Sequence, residues 1–301
     1  MEQQKKSFLF TLSAVLLWST AATAFKLTLN GMNHIQLLFY ASVVSAAALF
    51  IILSFINPQE IKISFNREHL KNNLLLGLLN PFLYYLVLFK AYSLIPAQEA
   101  MPLNYTWPIA ITIFSSIFLK QKLNFKTILG LLIAFFGAFV IATRGDLLSF
   151  KFQNLLGISL ALGSSILWAS FWTLNLIDKR TESAKLFSSF FSGSIIIFIF
   201  VLLFDSFKLK DYVYLFGSSY IGLFEMGITF FLWMKGLQLS NNKAKTSTLA
   251  YLAPFLSMIF IAVVLKEKLL ISSLIGLILI ISGILLQHLQ IKNGKLKLNL
   301  E

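Results

Sequence analysis

The 301-residue chain contains no cysteine, which excludes disulfides, thiolate catalysis and cysteine-ligated metals. Charged residues are also scarce, at 12% of the chain, whereas soluble proteins carry roughly 25%. Apolar residues make up 57% of the chain and its mean hydropathy is +0.80, which excludes a soluble domain. The net charge of +13 is spread over short clusters between apolar runs, so it predicts helix orientation in a lipid bilayer rather than nucleic-acid binding.

Signatures of enzymatic chemistry are missing as well. No G-x-x-x-x-G-K-[ST] loop occurs, so ATP is not a direct fuel, and neither an H-E-x-x-H motif nor a paired Asp motif is present. The three histidines, His34, His69 and His288, fall at the ends of apolar runs. We therefore predict no enzymatic activity, no cofactor, no metal site and no nucleic-acid partner.

Long apolar runs dominate the chain, and a membrane-spanning helix needs about 20 such residues. The candidate spans cover approximately residues 7–27, 35–56, 70–92, 97–119, 125–143, 155–177, 185–204, 212–236, 243–265 and 270–290. The first run resembles a signal peptide in its basic start and small-residue end, but its length favours an uncleaved span. The prediction is an all-α polytopic membrane protein with ten transmembrane helices.

The distribution of basic residues orients these helices. If the N-terminus lies inside, 17 of the 25 Lys and Arg residues fall on the inner side and 8 on the outer side. Because cytoplasmic loops are enriched in Lys and Arg, both termini are predicted to be cytoplasmic. The expected location is the inner (plasma) membrane of a bacterial cell.

The same landmarks occur twice, about 146 positions apart. Tyr105 and Pro108 return as Tyr251 and Pro254, and a Leu-Lys-Gln-Lys-Leu segment returns as Leu-Lys-Glu-Lys-Leu. The start of each half also agrees, as Leu-Trp-Ser-Thr in the first and Leu-Trp-Ala-Ser in the second. The repeat indicates a duplicated membrane protein.

Residues 1–147 and 148–301 are therefore predicted to form two five-helix repeats within one membrane domain. Because five is odd, equivalent helices cross the membrane in opposite directions, so the repeats are inverted. In folds of this kind the substrate site lies near the membrane midplane between the repeats, and alternating access moves one repeat against the other.

Two segments carry a family resemblance: Val15–Thr20, with the sequence VLLWST, and Asn104–Pro108, with the sequence NYTWP. With the inverted repeats and the L-x-x-x-L turns, they make the chain resemble the drug/metabolite transporter (DMT) superfamily. It is similar to the EamA family within it, and most of all to the aromatic amino-acid exporter branch. The resemblance implies export of small metabolites. One departure is Lys120–Gln121, where the family usually has Gly-Glu; the second copy, Lys266–Glu267, keeps the acid.

Glu225 lies at the centre of the eighth predicted span, with Thr229 one turn further on. A carboxyl group at that depth costs on the order of 3 kcal/mol and is a functional hypothesis by default. Two roles follow: proton coupling, or pairing with the ammonium group of an amino-acid-like substrate. The structural alternative is a protonated Glu hydrogen-bonded within the bundle. Its repeat-mate is Asn80, which Tyr84 follows by one turn.

Aromatic and amide side chains form the second constellation, because Trp168, Trp172 and Asn175 share one helix face. Tryptophan at depth offers a flat apolar surface and one N–H donor, whereas the alternative is an interface anchor or core packing. The predicted substrate-binding cavity is lined by Trp18, Asn80, Tyr84, Asn104, Tyr105, Trp107, Trp168, Trp172, Asn175, Glu225, Thr229 and Tyr251.

Prolines and glycines predict the shape of the helices. Pro81, Pro102, Pro108 and Pro254 interrupt hydrogen bonding within spans. The repeat-related pair Pro108 and Pro254 predicts a kink in both fourth helices, either a static bend or a gating hinge. Stripes of glycine on the fifth and tenth spans predict close packing, within one chain or in a dimer, at Gly130, Gly137, Gly276 and Gly283. Gln98 and Glu99 lie at the outer mouth of the fourth span, either on an exit path or on a solvated rim.

These observations favour a secondary active transporter that exports small metabolites, with aromatic or neutral amino acids as the expected substrates. Its partners are a small-molecule substrate and the lipid bilayer, with protons as the candidate coupling ion, and it acts as a monomer or a homodimer. The alternatives are an importer or exchanger of another metabolite and, more distantly, an intramembrane enzyme or a membrane scaffold.

Overall fold

The computed structural model describes residues 2–118, 124–149, 152–242, 246–287, 289–292 and 295–298. The helices of the first half are α1 (Glu2–Leu29), α2 (His34–Ile56), α3 (Pro58–Ser64), α4 (Leu70–Gly77), α5 (Tyr84–Leu94), α6 (Ala97–Asn104), α7 (Trp107–Phe118) and α8 (Phe125–Ala142). Those of the second half are α9 (Leu155–Ile177), α10 (Glu182–Phe204), α11 (Tyr214–Phe224), α12 (Ile228–Leu239), α13 (Leu252–Val264) and α14 (Ile271–Gln287).

Short stretches of other structure complete the chain. Single 3-10 turns cover Arg67–His69 and Thr248–Tyr251, and a π-helical turn covers Leu78–Leu83. After α14, strands β1 (Leu289–Lys292) and β2 (Lys295–Leu298) pair as an antiparallel hairpin. The residues outside the described part include the first L-x-x-x-L segment (119–123), Lys151, Lys243, Lys245 and His288.

Seven helical segments of the described chain are long and apolar enough to cross a membrane. They are Glu2–Leu29, His34–Ile56, Arg67–Leu94, Phe125–Ala142, Leu155–Asn175, Glu182–Phe204 and Tyr214–Leu239. The remaining predicted spans correspond to the broken pair α6–α7 and to two shorter apolar helices, Thr248–Val264 and Ile271–Gln287. The multi-pass membrane class is thus confirmed.

Short polar residues start four of these helices. The Asn33 side chain accepts backbone hydrogen bonds from the first turn of α2, and the Gln36 side chain accepts one from the Asn33 backbone N–H, which completes a capping box. Asn124, Asn154 and Thr181 cap α8, α9 and α10 in the same manner. Each cap satisfies an N–H group that the first turn leaves without a helical partner, and so defines where the apolar helix begins.

The two halves interlock rather than sit side by side. Helix α1 packs against α11, α12 and α13, whereas α9 packs against α5, α6 and α7. Helix α2 packs on α10 and α11, and α4 packs on α10. Each of these pairs joins a helix of one half to a helix of the other. The hydrophobic core therefore lies between the halves.

The glycine stripes meet each other within the chain, because α8 packs along α14. A Cβ atom added to Gly137 would lie 2.6 Å from the carbonyl oxygen of Gly276, and one added to Gly276 would lie 2.6 Å from that of Gly137. Only hydrogen on both Cα atoms lets the two backbones approach this closely. Of the two predicted uses of the stripes, the contact within one chain is therefore the one observed.

Two long helices are broken at equivalent positions of the repeat. In the first half, Asn80 has extended dihedral angles (φ −146°, ψ 118°) between α4 and α5, next to Pro81. Proline lacks an N–H group, so this interruption was predicted from the sequence. In the second half α11 ends at Phe224 and α12 begins at Ile228, although the intervening segment contains no proline. The second break was not predicted.

Candidate substrate cavity

A cavity of about 410 Å³ lies between the two halves. Its wall is formed by Trp18, Ala21, Ala22, Phe25, Tyr84, Leu88, Tyr92, Met101, Asn104, Tyr105, Trp107, Ile111, Trp168, Trp172, Glu225, Trp233, Leu237, Ser247, Ala250, Tyr251, Ala253 and Ser257. All five tryptophans of the chain contribute to this wall. The size is within the range of small-molecule sites, which run from about 300 to 1,000 Å³.

The structure brings nine of the twelve predicted site residues to this one cavity. They are Trp18, Tyr84, Asn104, Tyr105, Trp107, Trp168, Trp172, Glu225 and Tyr251. They come from positions more than 200 residues apart in the chain, and the packing of α1, α5 and α9 against the other half brings them together. Their role in binding stays a prediction.

The other three predicted residues lie elsewhere. Asn80 is fully buried beside the first break and does not line the cavity. Thr229 is fully buried, and its hydroxyl donates to the Phe224 carbonyl within the second break. Asn175 lies seven residues beyond Trp168, about 10 Å further along the helix, which takes it past the cavity. There its carbonyl oxygen accepts from the Lys185 ammonium group at 3.1 Å.

Glu225 is the carboxyl group of the cavity wall. The phenol of Tyr85 donates to its Oε1 at 3.2 Å, and Tyr85 itself is fully buried behind the wall. Glu225 is half-buried and lines the cavity, and no described residue donates to its Oε2. Tyr85 was missed from the sequence. Its repeat-mate is Phe230, and this difference of one hydroxyl was the available signal.

The broken backbone around Glu225 is satisfied by side chains from three helices. The indole Nε1 of Trp18 donates to the carbonyl oxygen of Glu225 at 3.4 Å, and the hydroxyl of Ser45 donates to that of Met226 at 2.8 Å. With the Thr229 bond to Phe224, each carbonyl of the break has a donor. A membrane interior offers no water to do this, so these side chains make the break tolerable.

The cavity wall contains two close pairs of tryptophan rings. The ring centroids of Trp18 and Trp233 lie 5.2 Å apart, and those of Trp168 and Trp172 lie 5.8 Å apart. Fully buried Phe230 joins the two pairs, with its centroid 5.7 Å from both Trp18 and Trp168. These distances are those of stabilising aromatic pairs. Trp233 was not among the site residues predicted from the sequence.

Asn104 and its neighbours tie α6 to the other half. The Asn104 amide donates to the hydroxyl of Ser164 at 2.9 Å and accepts from that of Tyr84 at 3.3 Å. Close by, the Thr106 hydroxyl donates to the Ser165 hydroxyl at 3.0 Å. Asn104 lines the cavity, but its side chain is thus committed to neighbouring protein groups.

Gln98 and Glu267 close one end of the space between the halves. The Glu267 carboxylate accepts from the backbone amides of Ala97 and Gln98 at 3.1 and 3.3 Å. The Gln98 side chain in turn donates to the Lys268 carbonyl at 2.9 Å and accepts from the Leu270 amide at 2.7 Å. Two reciprocal sets of bonds therefore join the start of α6 to the loop between α13 and α14.

An ion pair lies beside this closure, with Nε of Arg144 2.7 Å from Oε1 of Glu99. Gln98 and Glu99 are 4% and 2% exposed. The solvated rim considered for these two residues is therefore wrong, because the loop of the second half covers them. Glu267, which contacts the start of α6, is the acidic residue of the second L-x-x-x-L segment. The first segment has Gln121 at the equivalent position.

A second ionic cluster lies at the opposite end of the α4–α5 segment. The Arg180 guanidinium contacts Oδ2 of Asp178 at 2.6 Å and Oδ1 of Asn73 at 2.7 Å. Burial opposes ionisation of Asp178, but hydrogen bonds and charge from Arg180 outweigh it, so the pKa of this carboxyl lies below its ordinary value. Among the described residues, no group of three or more His, Asp and Glu side chains is arranged to hold a metal.

Comparison with known proteins agrees with this architecture. The EamA-like transporter family matches the chain twice, over residues 5–143 and 155–287. The uncharacterized transporter YoaV of Bacillus subtilis is 26% identical over 293 residues, which cover 93% of this chain and 95% of the relative. An uncharacterized transporter of Archaeoglobus fulgidus is 25% identical and covers 93% of this chain and 97% of its own length. One crystal structure, 20% identical, shares the fold at a TM-score of 0.65 over 94% of this chain and 96% of that one.

The spanning helices and the cavity between them define a multi-pass membrane protein of the small-molecule transporter class. The chain belongs to the EamA-like transporter family, whose match covers nearly its full length. The family named from the sequence is thereby confirmed, whereas the aromatic amino-acid exporter branch stays a prediction.

Proposed function

We propose that this protein is a secondary active transporter that exports small metabolites, with aromatic or neutral amino acids as the substrate class. The observation that carries the proposal is the cavity between the halves, where all five tryptophans surround one half-buried carboxyl group. Aromatic walls with few polar groups are typical of small-molecule sites. The NYTWP segment supports the aromatic amino-acid exporter branch, since Asn104, Tyr105 and Trp107 all line the cavity.

Ten transmembrane helices in two inverted repeats form the proposed frame, with both termini on the cytoplasmic side of the inner membrane. The reciprocal packing supports it: α1 lies in a cleft of the second half, and α9 lies in the corresponding cleft of the first. The double match to one family supports it as well. Because the glycine stripes contact each other within the chain, we favour a monomer as the transporting unit over a homodimer.

Alternating access would move one half against the other around the cavity. The bonds between Gln98 and Glu267 hold one end closed, and these bonds must break for that end to open. Under the proposed orientation this is the outer end. Glu225 is the proposed coupling group, because a carboxyl in contact with the cavity can exchange a proton for a substrate ammonium.

Counterflow in proteoliposomes tests the proposed function. Vesicles loaded with unlabelled phenylalanine or leucine should accumulate labelled external substrate in a saturable manner, and Glu225→Gln should strongly reduce the rate of accumulation. Cells that express the protein should enrich the same compounds in the medium, whereas an importer would deplete them. Absence of counterflow across a broad metabolite panel would favour a scaffold and contradict the proposal.

A further inference from the structure

We infer that the cavity selects protonated aromatic amines over amino acids that carry the same ring. This inference rests on the proposed transport function and changes the preferred substrate class from amino acids to amines. Three features of the described wall carry it: the placement of Glu225, the absence of a matching cation, and the tryptophan lining.

The carboxyl group of Glu225 is half satisfied by the protein. Oε1 accepts from the Tyr85 phenol, while Oε2 has no donor among the described residues. An ionised carboxylate in an apolar surround is costly unless a cation pairs with it. A ligand ammonium group at the Glu225 side of the cavity would supply both the charge and the missing donors.

A ligand carboxylate meets the opposite situation. None of the described residues in the wall is Lys, Arg or His. Among the neutral donors that could serve it, one N–H of the Asn104 amide bonds Ser164 and the Trp18 indole N–H bonds the Glu225 carbonyl. The other indole N–H groups of the wall are uncharged donors. Tyrosine and serine hydroxyls of the wall can donate a hydrogen bond, but they carry no charge to offset desolvation of the anion. A zwitterion would also place its carboxylate close to that of Glu225.

The remaining surface suits an aromatic cation. Trp18 and Trp233 form one close pair of rings in the wall, and Trp168 and Trp172 form another. Tryptophan is the strongest cation–π partner among the side chains, and desolvation strengthens that attraction. The same faces stack on a ligand ring. One substrate geometry, a ring between the indoles and an ammonium at Glu225, therefore uses every distinctive group of the wall.

Intrinsic fluorescence offers a direct test, because all five tryptophans line the cavity. The full-length protein in detergent is titrated with phenethylamine, phenylalanine and 3-phenylpropionate, which share a phenyl ring and differ in their charged groups. Excitation at the red edge of tryptophan absorption avoids the phenyl ligands. The amine should bind at least about tenfold more tightly than the amino acid, equivalent to about 1.4 kcal/mol, and the acid should bind most weakly.

Variants locate the preference. Glu225→Gln should reduce the amine to the affinity of the amino acid or below. Glu68→Gln removes an exposed carboxylate at another helix and should leave all three affinities unchanged. A thermal unfolding profile close to that of the parent protein shows that the Glu225→Gln variant is folded, and Tyr85→Phe provides a second, milder change at the same carboxyl.

The outcomes separate the inference from the transport function beneath it. If phenylalanine binds as tightly as phenethylamine, or if Glu225→Gln keeps the preference for the amine, the inference fails and transport of amino acids stands. Failure of the amine to change the fluorescence also overturns it. If counterflow is absent for the amine, the amino acid and the wider panel, the transport function itself fails.

Discussion

The two helix breaks occupy equivalent positions of the repeat, but one carries a buried amide and the other a carboxyl group in the cavity wall. Asn80 in the first half and Glu225 in the second are 145 positions apart, and each interrupts a long helix. Asn80 is fully buried, and neither of its amide atoms has a partner among the described residues. Glu225 lines the cavity and accepts from Tyr85. Both halves have the helix break, whereas the polar side chain at the break lines the cavity in the second half alone.

A glycine before each break allows the helix there to pack closely against its neighbour. Gly77 and Gly222, also 145 apart, lie three residues before the breaks. A Cβ on Gly77 would lie 2.7 Å from the backbone nitrogen of Gly193, and one on Gly222 would lie 2.8 Å from the Cβ of Val44. Each glycine thus lets the helix before the break approach a helix of the other half. The helix breaks and the glycines before them are thus present in both halves, whereas the carboxyl group in the cavity is present in one.

The largest effect is expected from Glu225→Gln. The substitution keeps the volume and removes the charge, so an ammonium ligand loses a charge-assisted hydrogen bond of about 1.5–3 kcal/mol. We expect a decrease of roughly 10- to 100-fold in affinity and in the initial rate of counterflow. If transport and its dependence on pH were both unchanged, Glu225 would have no functional role that Asn80 lacks.

The glycines before the breaks should respond alike in both halves. Gly77→Ala and Gly222→Ala each force a methyl group into the backbone or side chain of the facing helix. We expect each to lower the free energy of unfolding by about 1–3 kcal/mol, measured by thermal unfolding in detergent. Gly163→Ala is the matched control, since no atom lies within 4 Å of the added Cβ. A large effect in one half alone would contradict equivalent packing.

Tyr85→Phe tests the hydroxyl that distinguishes Tyr85 from its repeat-mate Phe230. The change keeps the fully buried ring and removes one hydrogen bond to Glu225, worth about 1 kcal/mol. We expect about a fivefold change in amine affinity. Tyr40→Phe is the control, because its hydroxyl bonds the Phe207 carbonyl instead. Equal effects of the two variants would show that Tyr85 does not act through the carboxyl.

The smallest effect is expected from Asn80→Leu. The side chains are similar in volume, and the substitution removes a buried amide that has no described hydrogen-bond partner. Transport should remain within about twofold of the parent protein, and stability should be unchanged or higher by up to about 1 kcal/mol. Asn104→Leu makes the same exchange where the amide bonds Ser164 and Tyr84, and it should be clearly destabilising. A transport defect in Asn80→Leu would assign a function to the first break.

Sequence reasoning succeeded where the signal is local. Apolar runs predicted the helices, and Pro81 indicated the first break. It failed at the second break, because Gly227 lacks proline's restriction and the interruption depends on donors from other helices, such as Trp18 and Ser45. It also placed Asn175 in the cavity, since helical periodicity identifies a face but not the depth at which a cavity ends.

The sequence by itself determined that this is a duplicated, multi-pass membrane protein of the EamA-like transporter family, because hydropathy, repeat spacing and motifs are read along the chain. The tertiary structure decided that Glu225, and not its repeat-mate Asn80, lines the cavity. Glu225 and Tyr85, 140 positions apart, become partners only when the halves interlock. Asn80 is excluded from the cavity by the same packing. Contacts between distant helices depend on how their surfaces fit, and no local pattern encodes that fit.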